Sequence, residues 1–227
     1  MNLLRSALAG AVVLAAAAPA MALDFTMDFD NIPVAVPPPE PPDQELGSAV
    51  LGYYNNDPVY QRDGRKPWNI VFSEQALAIC YGGAGDDCPG QFPKPPSGNS
   101  AVGTVNADFF EFSVTPGLYV QKLSFEYTDA GQGSFPSVIL YANGTQLGTP
   151  LALTPCVGAF CEWKSYTVSG EDLARGQVTA VRFLGTPNSV VFDNIALTTA
   201  PVPEPTTYAL LLGGLALVVG AARRQRR

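Results

Sequence analysis

Apolar and polar positions alternate with a period of two through most of residues 23–201, and no helical period of 3.6 is sustained there. Phe25, Met27 and Phe29 alternate with Thr26, Asp28 and Asp30; Leu123, Phe125 and Tyr127 alternate with Lys122, Ser124 and Glu126. Asn143-Gly144 separates the apolar run 138–141 from Gln146-Leu147, the pattern of a two-residue hairpin that needs positive φ at both turn positions. Further strands are predicted at 68–72, 76–79, 108–114, 160–168, 178–184 and 189–197, with one helical turn at 170–175. About nine or ten short strands separated by turn residues predict an all-β chain, an antiparallel β-sandwich. Six prolines within 33–42 predict an extended, polyproline-like loop between early strands.

The two ends depart from this pattern. Residues 1–22 carry Arg5, an apolar run at 8–18, and then small residues in which Ala20-Met21-Ala22 suits signal peptidase. A run of about 11 residues is too short to span about 30 Å of hydrocarbon, so 1–22 is predicted to be a cleaved signal peptide. At the other end, Val202, Pro203, Glu204 and Pro205 precede an uncharged segment, 206–222, and then Arg223, Arg224, Arg226 and Arg227. Seventeen helical residues rise roughly 25 Å, the short edge of a transmembrane helix. The prolines stop the helix from extending upstream, and the arginines should stay cytoplasmic. Residues 23–201 are then an ectodomain on the far side of the membrane.

Val-Pro-Glu-Pro at 202–205, the short apolar helix and the terminal Arg cluster together resemble the PEP-CTERM sorting signal of exported bacterial proteins. The resemblance implies recognition by an exosortase, an integral-membrane, Cys transpeptidase-like enzyme, and processing near the Pro-Glu-Pro. It also implies a Gram-negative cell that makes exopolysaccharide, a transient inner-membrane anchor, and delivery to the envelope or extracellular matrix. The span 23–201 looks like the jelly-roll sandwiches of such proteins and of carbohydrate-binding modules. The residues concerned are Asp28-Phe29-Asp30-Asn31-Ile32-Pro33, Ile70-Val71-Phe72-Ser73, Leu123-Ser124-Phe125-Glu126-Tyr127 and Val191-Phe192-Asp193-Asn194-Ile195-Ala196.

Composition narrows the chemistry. The chain of 227 residues contains no histidine, which excludes Ser-His-Asp and Cys-His hydrolases and His-ligated zinc. A hydrophobic content of 47% is raised by the two ends, while the ectodomain carries a net charge of −11 against −7 for the whole chain. That acidity argues against nucleic acid as a partner. Cys80, Cys88, Cys156 and Cys161 should be oxidised in an exported chain. Local pairing, Cys80–Cys88 and Cys156–Cys161, is expected because each pair closes a short turn; a four-thiolate zinc site lacks the usual CxxC spacing.

Phe-Asp-Asn-Ile occurs twice, at 29–32 and 192–195, and strand alternation places Asp193 on one face with Val191, Ile195 and Leu197. A carboxylate on an apolar face needs a partner or a ligand. The jelly-roll resemblance brings first and last strands together around a structural calcium, for which Asp28, Asp30 and Asp193 are the candidate ligands. The alternative is that these aspartates cap turns and strand ends. Tyr53, Tyr54, Tyr60 and Trp68 are candidates for a sugar-stacking platform. Glu111 and Glu126, on strands that look adjacent, are the candidates for a paired-carboxylate glycosidase, although nothing sets their separation. The expected function is a non-enzymatic protein with a structural or adhesive place in exopolysaccharide. The second reading is a carbohydrate-binding module with structural calcium, and the third a polysaccharide-acting enzyme.

Overall fold

A computed structural model describes residues 23–30, 69–81, 92–104, 107–131, 133–158, 160–202 and 213–214. These residues form an antiparallel β-sandwich of two sheets. The first contains β1 (Leu23–Met27), β3 (Ala76–Cys80), β4 (Ser100–Thr104), β6 (Leu118–Asp129), β10 (Lys164–Thr167) and β12 (Val190–Pro201). The second contains β2 (Ile70–Phe72), β5 (Phe109–Val114), β7 (Ser137–Ala142), β8 (Thr145–Gln146), β9 (Leu151–Ala152) and β11 (Ala180–Leu184). The strand order is β10-β6-β12-β4-β3 in one sheet and β2-β5-β11-β7-β8 in the other. A single helical turn, α1 (Gly170–Leu173), is capped by Ser169, whose Oγ accepts from the Asp172 N–H.

Inward-facing aromatic rings join the sheets. Phe110 and Phe183 of the second sheet stack at 4.9 Å, and Phe192 of the first meets Phe183 edge-on at 4.8 Å. Phe125 packs on Phe183 at 5.2 Å and on Phe192 at 5.8 Å. Edge-to-face and offset contacts of this kind add to the area these rings remove from water.

The predicted hairpin is present: Asn143 and Gly144 take φ of +48° and +81° between β7 and β8. Several boundaries differ from the expectation, each for a packing reason. β4 was not predicted because its Ser-Ala-Val-Gly-Thr sequence is small and buried on both faces, leaving no alternation to read. Gly103 packs closely there: a Cβ would lie 2.5 Å from Ile79 Cδ1, and that side chain would have to shift. The two-residue strand β9 also escaped the pattern. β6 extends beyond the predicted 122–127, because Gln121 and Lys122, both exposed, sit at a register shift that interrupts the alternation.

The most consequential difference is a β-bulge in β12. Asp193 pairs with Glu126 and Ala196 with Ser124, so Asn194 and Ile195 together oppose Phe125. Asn194 adopts φ +47°. The extra residue changes the parity of the strand: Phe192, Ile195 and Leu197 face the central core, whereas Val191 joins a small outer cluster with Phe92 and Ala101. Asp193 therefore does not share the Ile195 and Leu197 face, as simple alternation predicted.

Truncating Phe192 removes the ring shared by both sheets. Phe192→Ala should destabilise the fold by about 3–5 kcal/mol in denaturant unfolding. Val71→Ala, at a position 48% exposed on an edge strand, should stay within about 0.5 kcal/mol.

Candidate functional site

The bulge creates the first candidate site. β1 and β4 lie end to end along one edge of β12, β1 beside residues 195–199 and β4 beside 191–192. Where they meet, the ladder is interrupted, and three predicted aspartates fill the break. The fully buried Asp193 carboxylate accepts the Ser97 N–H at 3.1 Å and the Asn194 N–H at 2.7 Å. Ser97 Oγ lies 2.9 Å from Asp193 Oδ2 and 3.2 Å from the Asp28 carbonyl oxygen. Asp30 Oδ1 accepts the N–H groups of Asn99 and Ser100 at 2.8 and 3.2 Å, and Asp28 Oδ1 accepts the Asp30 N–H at 3.3 Å. Gly98 is confined here, since a Cβ would come within 2.1 Å of the Asp30 carboxyl carbon.

These contacts bring Asp28, Asp30 and Asp193 into one cluster and assign their carboxylates to backbone donors left over at strand ends. A cation would have to displace those donors, and among the described residues no group of three Asp, Glu, Cys or His side chains is placed to hold a metal. Burial pushes the Asp193 carboxyl up to about 6 from its ordinary 3.8, against the pull of the Ser97 and Asn194 donors, and nearby Asp30 adds to the rise. Ser97 and Asn99, which complete the cluster, carried no signal in the sequence.

A second buried carboxylate organises the loops after β6. Asp129 Oδ1 accepts from the Gly131 N–H at 2.8 Å and from Ser134 Oγ at 2.6 Å, and Oδ2 accepts the Cys156 N–H at 2.9 Å. The expected Cys156–Cys161 disulfide is formed, and Thr128 Oγ1 donates to the Cys161 carbonyl at 2.7 Å. Cys80 ends β3, and Cys88 lies outside the described residues. On the outer side of the first sheet, Phe92 touches Trp163, Phe160 and Tyr81 at centroid distances of 6.2–6.4 Å. Trp163 Nε1 donates to the Pro93 carbonyl at 3.1 Å. This aromatic cluster was missed because its members come from segments far apart in sequence. The predicted platform residues Tyr53, Tyr54, Tyr60 and Trp68 lie outside the described residues.

The third candidate is a cleft of about 560 Å³ on the outer face of the second sheet, at the end where the chain leaves β12. Its centre is Arg182 on β11, directly opposite Glu111 on β5, with Nε donating to Glu111 Oε2 at 2.9 Å. The guanidinium lies 4.3 Å from the Phe109 ring centroid and 5.0 Å from that of Tyr141. Glu111 and Glu126 stand on different sheets, each with its own partners: Glu126 accepts from Asn194 Nδ2 at 2.9 Å and Ser165 Oγ at 3.3 Å. They do not face one another as a catalytic pair.

Val202 is the last residue described before the sorting motif's proline, and its N–H donates to the Gly117 carbonyl at 2.8 Å. Pro203, Glu204, Pro205, the arginines 223, 224, 226 and 227, and the predicted signal peptide lie outside the described residues; of 206–222, only Gly213 and Gly214 are described, as helical. Among the described residues no helix is long and apolar enough to cross a membrane.

Residues 201–227 match the PEP-CTERM protein-sorting motif. The chain therefore carries the signal of an exosortase-sorted, exported protein that transits a membrane. No curated protein sequence matches the chain. Among solved structures, the K2 cleaved adhesin domain of Lys-gingipain is similar at 14% identity and a TM-score of 0.38, over 77% of this chain and 97% of that one. A Stig cyclase from Fischerella sp. TAU is similar at 17% identity and a TM-score of 0.30, over 63% of this chain and 94% of that one. Likeness at that level supports no inference about this chain.

Between pH 3.8 and about 6 the folded chain keeps a proton on Asp193 that the unfolded chain has released. This contribution is complete below the lower value and is lost as pH rises through about 6. Comparing Asp193→Asn with the native chain by denaturant unfolding at pH 4 and 7 should show the gap moving against the native chain at the higher pH. The expected change is roughly 1–3 kcal/mol; parallel stability profiles would contradict the buried-acid assignment.

Proposed function

We propose that this is a non-enzymatic envelope and extracellular-matrix protein, with a structural or adhesive place in exopolysaccharide. Signal peptidase removes 1–22 during export. The segment 206–222 then holds the chain briefly in the inner membrane of a Gram-negative cell, with Arg223, Arg224, Arg226 and Arg227 on the cytoplasmic side, until an exosortase processes it near Pro203-Glu204-Pro205.

The observation that carries this reading is the match to the sorting motif from residue 201, where β12 ends. The matched motif thus begins at the last residue of the sandwich's final strand. A non-catalytic role is supported by the lack of histidine and by the engagement of Glu111, Glu126, Asp129 and Asp193 in structural contacts.

Glu204 is the test position, since it lies in the motif and outside the sandwich strands. Glu204→Ala should leave the unfolding midpoint unchanged, while surface-exposed chain, measured by fractionation and immunoblot, falls and tail-bearing chain accumulates in the inner membrane. Undiminished surface display would overturn the sorting assignment.

A further inference from the structure

We propose that the Arg182–Glu111 cleft is a subsite for a neutral sugar unit of a polysaccharide. The proposal rests on the exopolysaccharide reading above and names the surface through which that contact is made. The cleft's volume, about 560 Å³, falls within the about 300–1,000 Å³ usual for ligand sites. Its floor is a rigid sheet, three hydrogen-bonded strands wide, so the shape exists before any ligand arrives.

The polar groups on that floor are matched to hydroxyls rather than to ions. Arg182 uses Nε on Glu111 Oε2, and among the described residues its two Nη groups have no acceptor and Glu111 Oε1 has no donor. Donors and a carboxylate acceptor therefore stand side by side, each partly exposed, on an already neutralised pair. Adjacent hydroxyls of a pyranose each accept one hydrogen bond and donate one, which is the complement of this arrangement. The rings of Phe109 and Tyr141 hold the guanidinium in place, so little side-chain freedom is lost on binding.

Gln177, exposed, and Asn143, beside the cleft in the β7–β8 turn, extend the polar rim; their side chains make no hydrogen bond among the described residues. Pro116 and Val202 line the cleft with apolar surface suited to the C–H face of a sugar ring. An anionic polymer is disfavoured on two counts: Glu111 compensates the charge of Arg182, and the ectodomain has a net charge of −11.

The test is binding of the full chain, in detergent, to cellulose, dextran and galactomannan as neutral probes, to alginate as an anionic one, and to exopolysaccharide isolated from the producing cells. The native chain should bind the isolated exopolysaccharide and at least one neutral probe saturably. Arg182→Ala, Glu111→Gln and Gln177→Ala should each weaken that binding at least about tenfold; Gln177 is exposed, so its variant tests the cleft even if the sheet variants fold poorly. Binding that survives all the properly folded variants would remove the cleft as the site while leaving the matrix reading intact. Failure of the native chain to bind any polymer, the isolated exopolysaccharide included, would remove both. Binding to alginate alone, lost in Arg182→Ala and retained in Glu111→Gln, would mark an anion site and overturn the neutral-sugar assignment.

Discussion

The pairing of β12 with β6 is the constraint from which the remaining features follow. The two strands run antiparallel over twelve residues each, a length of roughly 40 Å, from Val190 beside Asp129 to Pro201 beside Leu118. On its other edge β12 must accept two short strands in succession, β4 and then β1. Two separate strands cannot continue one ladder without a break, and the bulge at Asn194 falls at that break. Before it, Phe192 enters the aromatic seam between the sheets. At it, Asp193 turns outward to collect orphaned donors. Beyond it, Ile195 and Leu197 return to the core and lead the chain out to Val202.

Much of the architecture was legible in the sequence, because its signals are local. Period-two alternation marked most of the strands, and Asn143-Gly144 marked its hairpin through a conformation that other residue pairs adopt poorly. What escaped was set by neighbours distant in sequence. β4 has no polar face because its small residues are covered on both sides. The orientation of Asp193 depends on a bulge that falls where β1 and β4 meet along β12, a junction no pattern within β12 records.

The candidate sites divide in the same way. The jelly-roll resemblance set Asp28, Asp30 and Asp193 close together, and the three do lie in one cluster. It could not show that Ser97, Asn99 and Ser100 would supply the donors they bind. Glu111 stood out only as a possible partner of Glu126, and Arg182 not at all, because a charged residue at an outward position is ordinary until its cross-strand partner is known. The sorting motif, by contrast, is a linear signal read by another protein, so the sequence alone displays it fully.

A folded domain is joined to a sorting signal: the last strand ends at Pro201, and the matched motif covers 201–227. The most direct measurement of that claim is the mass of the chain recovered from the extracellular matrix, with both termini assigned by peptide mapping. The account predicts a mature chain that begins near Leu23, ends close to Pro203-Glu204-Pro205 and lacks the segment through Arg227. A matrix-localised chain that still carries Arg223–Arg227 would contradict it.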